Sequence, residues 1–113
     1  MIKIKWTWLF VNVLKGYSGL ALTPFVFYKD QSLYSDDYIN KFWIHEKIHI
    51  RQTYETLYLN FLLYPLFYLI DRFRGCSAYE AYKYNPFEEE AWKNEGDNSY
   101  LKNRSFWAWI KYV

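Results

Sequence analysis

Cysteine is almost missing from this sequence. Cys76 is the only one, which excludes an internal disulfide and a thiolate metal site. Compartment is therefore not set by cysteine usage. Histidine is nearly as scarce. His45 and His49 are the whole supply, so a metal site would take its other donors from carboxylates or backbone. An excess of one charge is also lacking. The 14 basic side chains nearly balance the 12 acidic ones, so nothing calls for nucleic acid or another polyanion. No apolar run reaches the ~20 residues that a membrane-spanning helix needs. Lys3 and Lys5 precede an apolar segment, Trp6 to Leu14, in the manner of a signal peptide. Asn12 interrupts it, and Ser18-Gly19-Leu20-Ala21 is a poor cleavage site, so the segment is expected to be mature structure. Location stays open between cytoplasmic and membrane-peripheral.

What the chain has in abundance is aromatic rings, 25% of all residues. Rings at that density favour a small core built from large side chains. The other reading is an amphipathic surface at a lipid interface.

Ile2 to Phe10 alternates with period two, the pattern of a half-buried strand, and continues more weakly to Leu14, where a helix also fits. A turn at Lys15 to Gly19 follows. Phe25, Val26, Phe27 and Tyr28 form a second expected strand. Pro24 beside it points to a sheet edge, because proline donates nothing to the ladder. Ser35 or Asp36 caps the next helix, with Asp37 in its first turn. No Gly or Pro occurs from Ser35 to Tyr64, so this helix is expected to run long, with a break near Asn60. Residues 57–70 are apolar or aromatic except Asn60 and contain Pro65. They read as a core helix behind the first, or alternatively as a helix lying in a membrane interface. Asn85-Pro86-x-Glu88 is a helix start, ending at Gly96. Phe106, Trp109, Ile110 and Val113 form a last helical stripe. The expected fold is α+β, mainly α, in one domain over residues 1–113. Short N-terminal strands pack on the first long helix, an apolar helix and a Glu-bearing helix.

The first long helix carries His45-Glu46-Lys47-Ile48-His49, a His-Glu-x-x-His motif. Residues four apart on a helix are about 40° from eclipsed, so both imidazoles leave one face and can share a metal ion. Glu46 lies beside that ion, where a carboxylate can act as general base. The alternative is a pair of core histidines, each needing partners of its own. A catalytic zinc site takes three protein ligands, so one donor is missing. Glu55 stands where a metzincin-type pattern would place it, but position 52 is Gln, not the Gly that turns the chain back. On an unbroken helix Glu55 lies about 240° from His49 and points away. Glu88, Glu89 and Glu90 are the richer supply. For Glu88 the bland reading is a capping box with Asn85.

Glu88-x-x-Ala91 resembles the Glu-x-x-Ala-(Asp or Asn) segment that follows His-Glu-x-x-His in several gluzincin families of zinc peptidases. That resemblance implies Glu88 as third ligand, with Glu90 as the alternative. Trp92 stands where the family has Asp or Asn, so Glu90 or Glu95 would replace that carboxylate. Over nearly its whole length the chain also resembles a family of small, uncharacterised proteins of Bacteroidetes-type bacteria. The matching segments are Gly19 to Phe25, His45 to Gln52, Phe87 to Ala91 and Arg104 to Trp107. In size it is similar to the minigluzincins, tiny peptidase-like domains often found latent.

The resemblance implies a gluzincin-like domain that binds Zn²⁺ and hydrolyses peptide bonds in a peptide or protein substrate. Glu46 would then be the base, and Tyr82 or Tyr84 would stabilise the oxyanion. Phe25 to Tyr28 would align the substrate backbone as an edge strand. The competing expectation is a non-catalytic or latent zinc domain touching a membrane through 57–70. In that reading Phe106 to Tyr112 could cover the metal or pack on the N-terminal strand.

Overall fold

The computed structural model describes residues 1–113 and is α+β, mainly helical. Strand β1 (Ile2–Lys5) leads into helix α1 (Thr7–Asn12), then β2 (Gly19–Leu22) and β3 (Phe25–Tyr28). The sheet order is β1-β3-β2, with β1 parallel to β3 and β2 antiparallel to it.

Two sequence expectations change here. The first strand stops at Lys5, not near Phe10. It can pair only as far as β3 extends, and Lys5 faces Tyr28, the last residue of β3. Trp6 N–H closes the ladder on Tyr28 O at 2.7 Å, after which α1 turns Phe10 into the interior. The second change is that Phe25–Tyr28 is the central strand and not an edge. Pro24 precedes it, in the link to β2, so its missing N–H costs the ladder nothing. The edge beside the helices is β2. Gly19 on β2 sits against Phe42, where a Cβ would overlap the ring.

Helix α2 (Asp36–Glu55) starts where Ser35 Oγ accepts the Tyr38 N–H, with Asp36 and Asp37 in the first turn. It ends before the expected break. Leu57 and Tyr58 both adopt positive φ, at 51° and 68°, a conformation that side chains other than Gly rarely take. Side chains hold this turn. Thr56 Oγ1 donates to Gln52 O, and Asn60 Nδ2 donates to Thr53 Oγ1.

Helix α3 (Asn60–Phe73) is not the buried helix expected behind α2. Asn60 is its only buried residue. That place is filled by α5 (Pro86–Asn94), whose Ala91 packs with Ile44 and Ile48. Tyr64 and Phe67 pack on Phe87 from the inner side of α3, while its outer side faces solvent. Helix α4 (Ala78–Lys83) opens on a Ser77–Glu80 capping box. Helix α6 (Tyr100–Asn103) and a 3-10 turn (Ala108–Tyr112) complete the chain. Trp109 packs tilted against Phe87 at 4.7 Å between ring centres. The C-terminal segment thus lies against α5 and covers neither the cleft nor the N-terminal strand.

The apolar cluster of Ile44, Ile48 and Ala91 is small, and a polar seam supplements it. Arg104 is bidentate to Glu55, at 2.7 and 2.9 Å, and its Nε donates to Glu90 Oε2 at 2.7 Å. These side chains are only 2%, 3% and 0% exposed. Gln52 Nε2 and Tyr100 O–H also donate to Glu90, and Trp107 N–H donates to Glu55. Removing one partner strands the other charges away from water. Arg104→Ala is therefore expected to cost about 3–5 kcal/mol in urea unfolding. Burial alone would raise the Glu90 carboxyl, but its bonds from Arg104, Gln52 and Tyr100 bring it below 4.5. Its contribution is thus present above pH 4.5 and is lost as the pH falls through the lowered folded value. Stability measured against pH should fall less steeply below about 4.5 in Glu90→Gln than in the wild type.

Candidate metal centre

His45 and His49 are one turn apart on α2, and Glu88 projects from the first turn of α5. No other combination of three or more His, Cys, Asp or Glu gathers in this way. Their three donor atoms lie within 4.8 Å of one another. His45 Nε2 is 3.1 Å from His49 Nε2 and 3.4 Å from Glu88 Oε2, and His49 Nε2 is 2.8 Å from Glu88 Oε1. All three residues are buried or nearly so.

Hydrogen bonds place a proton on each Nδ1. Gln52 Nε2 donates to Phe87 O at 2.9 Å and to Glu90 Oε1 at 3.0 Å. Its amide orientation follows, leaving Oε1 to accept from His49 Nδ1 at 2.8 Å. His45 Nδ1 donates to the Glu95 carboxylate at 2.9 Å. With both Nδ1 atoms protonated, the neutral rings turn their Nε2 lone pairs toward each other and toward a carboxylate. Such a cluster of electron pairs could hold a metal ion. Glu88 Oε2 is buried and makes no hydrogen bond, which leaves it a lone pair to offer a metal. Ligands about 2.0–2.1 Å from a tetrahedral zinc lie roughly 3.3 Å apart, close to the separations seen here. The donor set fits zinc.

Protons can take the same place. Burial opposes charge on both imidazoles, yet bonds to Glu88 and Glu95 raise His45 to about 10. Glu88 likewise raises His49. Burial works against the Glu88 carboxylate too, but the two imidazoles hold it well below the usual range. Glu46 is buried beside them, and burial raises its carboxyl against the pull of His49 and His45.

The sequence candidates separate clearly in space. Glu88 leaves the capping position open, and the Asn85 N–H goes to Tyr82 O. Glu90, about 200° around α5 from Glu88, faces Arg104 with both oxygens engaged. It is not positioned as a ligand. Glu55 is buried in the same seam. A cleft of about 270 Å³ opens on His45, Glu46, His49 and Glu88, near the lower end for ligand sites. Tyr82 lines it and Tyr84 does not. Two residues on, Tyr84 is rotated by about 200° and is exposed. The cleft is walled by Gly19, Leu20, Ala21 and Leu22 of β2, not by the central strand Phe25–Tyr28.

Tyr64, from α3, lines the cleft; in the sequence it stood out only as one of the tyrosines of the apolar stretch 57–70. Burial and the nearby Glu88 carboxylate push the Tyr64 and Tyr82 phenols far above their ordinary value, so both stay protonated. Gln52 was legible only as a missing Gly. Its spacing of three from His49 on one helix face was the available signal.

No family model matches the chain, and neither a curated protein nor a solved structure does.

Groups that orient a ligand histidine typically contribute ten- to a hundred-fold to metal affinity. Gln52→Leu should weaken zinc binding by roughly that factor in a chelator-competition titration, with the helical circular dichroism retained. Unchanged affinity would remove Gln52 from the site.

Proposed function

We propose that this chain is a zinc-dependent peptide hydrolase with His45, His49 and Glu88 as ligands and Glu46 as general base. One observation carries the reading. Three electron-pair donors and a buried carboxylate with a raised pKa share a cleft walled by a sheet edge.

Zinc held by these ligands would lower the pKa of a water toward about 7 and polarise a carbonyl. The remaining steps belong to the protein. Glu46 is buried in the wall of the cleft, where burial raises its carboxyl, and a carboxylate placed there can act as general base. It takes the proton of the attacking water and delivers it to the leaving amine. Tyr82 and Tyr64 remain protonated and line the same cleft, so either phenol can donate to the developing oxyanion. The β2 strand pairs on one side only. Its other edge can take an extended substrate by backbone hydrogen bonding. That role moves from Phe25–Tyr28 to Gly19–Leu22.

Two features speak for catalysis over a sealed structural site. The cluster offers three metal-ligating side chains and no fourth, as catalytic zinc sites do. The C-terminal segment leaves the cleft uncovered.

Purified protein should carry one zinc per chain, and His45→Ala or His49→Ala should lose it. Glu46→Gln should keep the metal and lose about 10²–10⁴-fold in peptide cleavage. Chelation should lower the melting temperature by removing a ligand of the folded state. Zinc affinity should fall with falling pH, because protons compete for the imidazoles. Stoichiometric zinc with no cleavage across a peptide library would make the site non-catalytic. Full activity in Glu46→Gln would end the base assignment.

A further inference from the structure

Helix α3 is amphipathic in the wrong sense for a helix facing water. Its inner side carries Leu63, Tyr64, Phe67 and Tyr68, all partly buried, and its outward stripe is apolar too. Leu62 is 67% exposed, Leu66 49%, Leu69 50% and Phe73 89%. The stripe continues back into the left-handed turn, where Leu57 and Leu59 are 82% and 58% exposed. No charged residue occurs between Glu55 and Asp71. A contiguous exposed apolar surface of this kind marks a contact site.

We propose that this face is a membrane-docking surface: α3 lies in the interfacial plane of an anionic bilayer, with Leu57 and Leu59 inserted at one end. The proposal does not rest on the zinc reading. Three observations favour lipid over a protein partner. The surface is one helical stripe, roughly 18 Å from Phe61 to Phe73. A stable protein interface draws on about 20–30 residues a side, far more than the stripe offers. The charges that border it are complementary to anionic head groups. Exposed Arg72 and Arg74 flank Phe73; of the acids nearest in sequence, Asp71 is partly buried and Glu80 is engaged with Ser77 at the start of α4. Tyr58, half exposed in the turn, has the amphipathic ring that settles at head-group level. No helix is long and apolar enough to cross a membrane, so the geometry is of lying on the bilayer, not spanning it.

The surface adjoins the cleft. Phe61 and Pro65 are exposed on α3 and also line the cleft, and Leu20 and Leu22 expose apolar side chains on its β2 wall. Docking on α3 therefore brings the cleft mouth to the bilayer.

The test is co-sedimentation of the full chain with two vesicle types, pure phosphatidylcholine and a 7:3 mixture with phosphatidylglycerol. Wild-type protein is expected to pellet with the anionic vesicles and less with the neutral ones. Leu62→Glu/Leu66→Glu should reduce the partition coefficient by at least ~tenfold. Both positions face water, so circular dichroism should be unchanged. Arg72→Gln/Arg74→Gln, which leaves the apolar stripe intact, should reduce binding to the anionic vesicles only. Absence of binding to either vesicle type overturns the proposal. So does a wild-type dimer in sedimentation equilibrium that Leu62→Glu/Leu66→Glu converts to monomer, since a second copy would then cover the face.

Discussion

The contact between α2 and α5 rests on buried charge as much as on apolar surface. Ile44, Ile48 and Ala91 supply the apolar part. Arg104 supplies the rest by bonding one carboxylate from each helix, Glu55 and Glu90. Taking three charges out of water costs several kcal/mol each. The cost is offset only because the oxygens find further donors in Gln52, Tyr100 and the Trp107 amide. The same two helices carry the histidines and Glu88. Whatever fixes their separation also fixes the distances among the three donors. Gln52 makes the link direct, with its amide nitrogen in the seam and its amide oxygen on His49.

The histidine motif was legible because α-helical spacing converts four residues of sequence into one shared face. Glu88 was legible through a resemblance in spacing, and the two-residue offset to Glu90 settles their different surroundings on a helix. The helix starts at Ser35 and Asn85 could be read from local capping chemistry, and both side chains accept as expected. What failed was long-range. Alternation in Ile2 to Phe10 could not reveal that β3 is only four residues long. Pro24 suggested an edge, but the sheet order depends on where β1 returns, which no local pattern encodes. The apolar run 57–70 reads alike whether its second face meets protein or solvent. Only the placement of α5 against α2 decides it.

Each Nδ1–H has a fixed acceptor, so each Nε2 is constrained to point inward. Glu95 does for His45 what Gln52 does for His49, but with a charge. The two rings thus share one face but are held by different partners. Glu46, next to His45 in sequence, takes no part in these bonds and lines the cleft.

Gly19 lies at the closest approach of β2 to α2, where Phe42 occupies the volume a methyl group would need. The width of the groove between strand and histidines is thus set by a missing atom. An alanine there would force either the Phe42 ring or the strand to give way, like a wedge under a door. A single carbon at this position is therefore enough to disturb the seating of the sheet on the helix that carries the histidines.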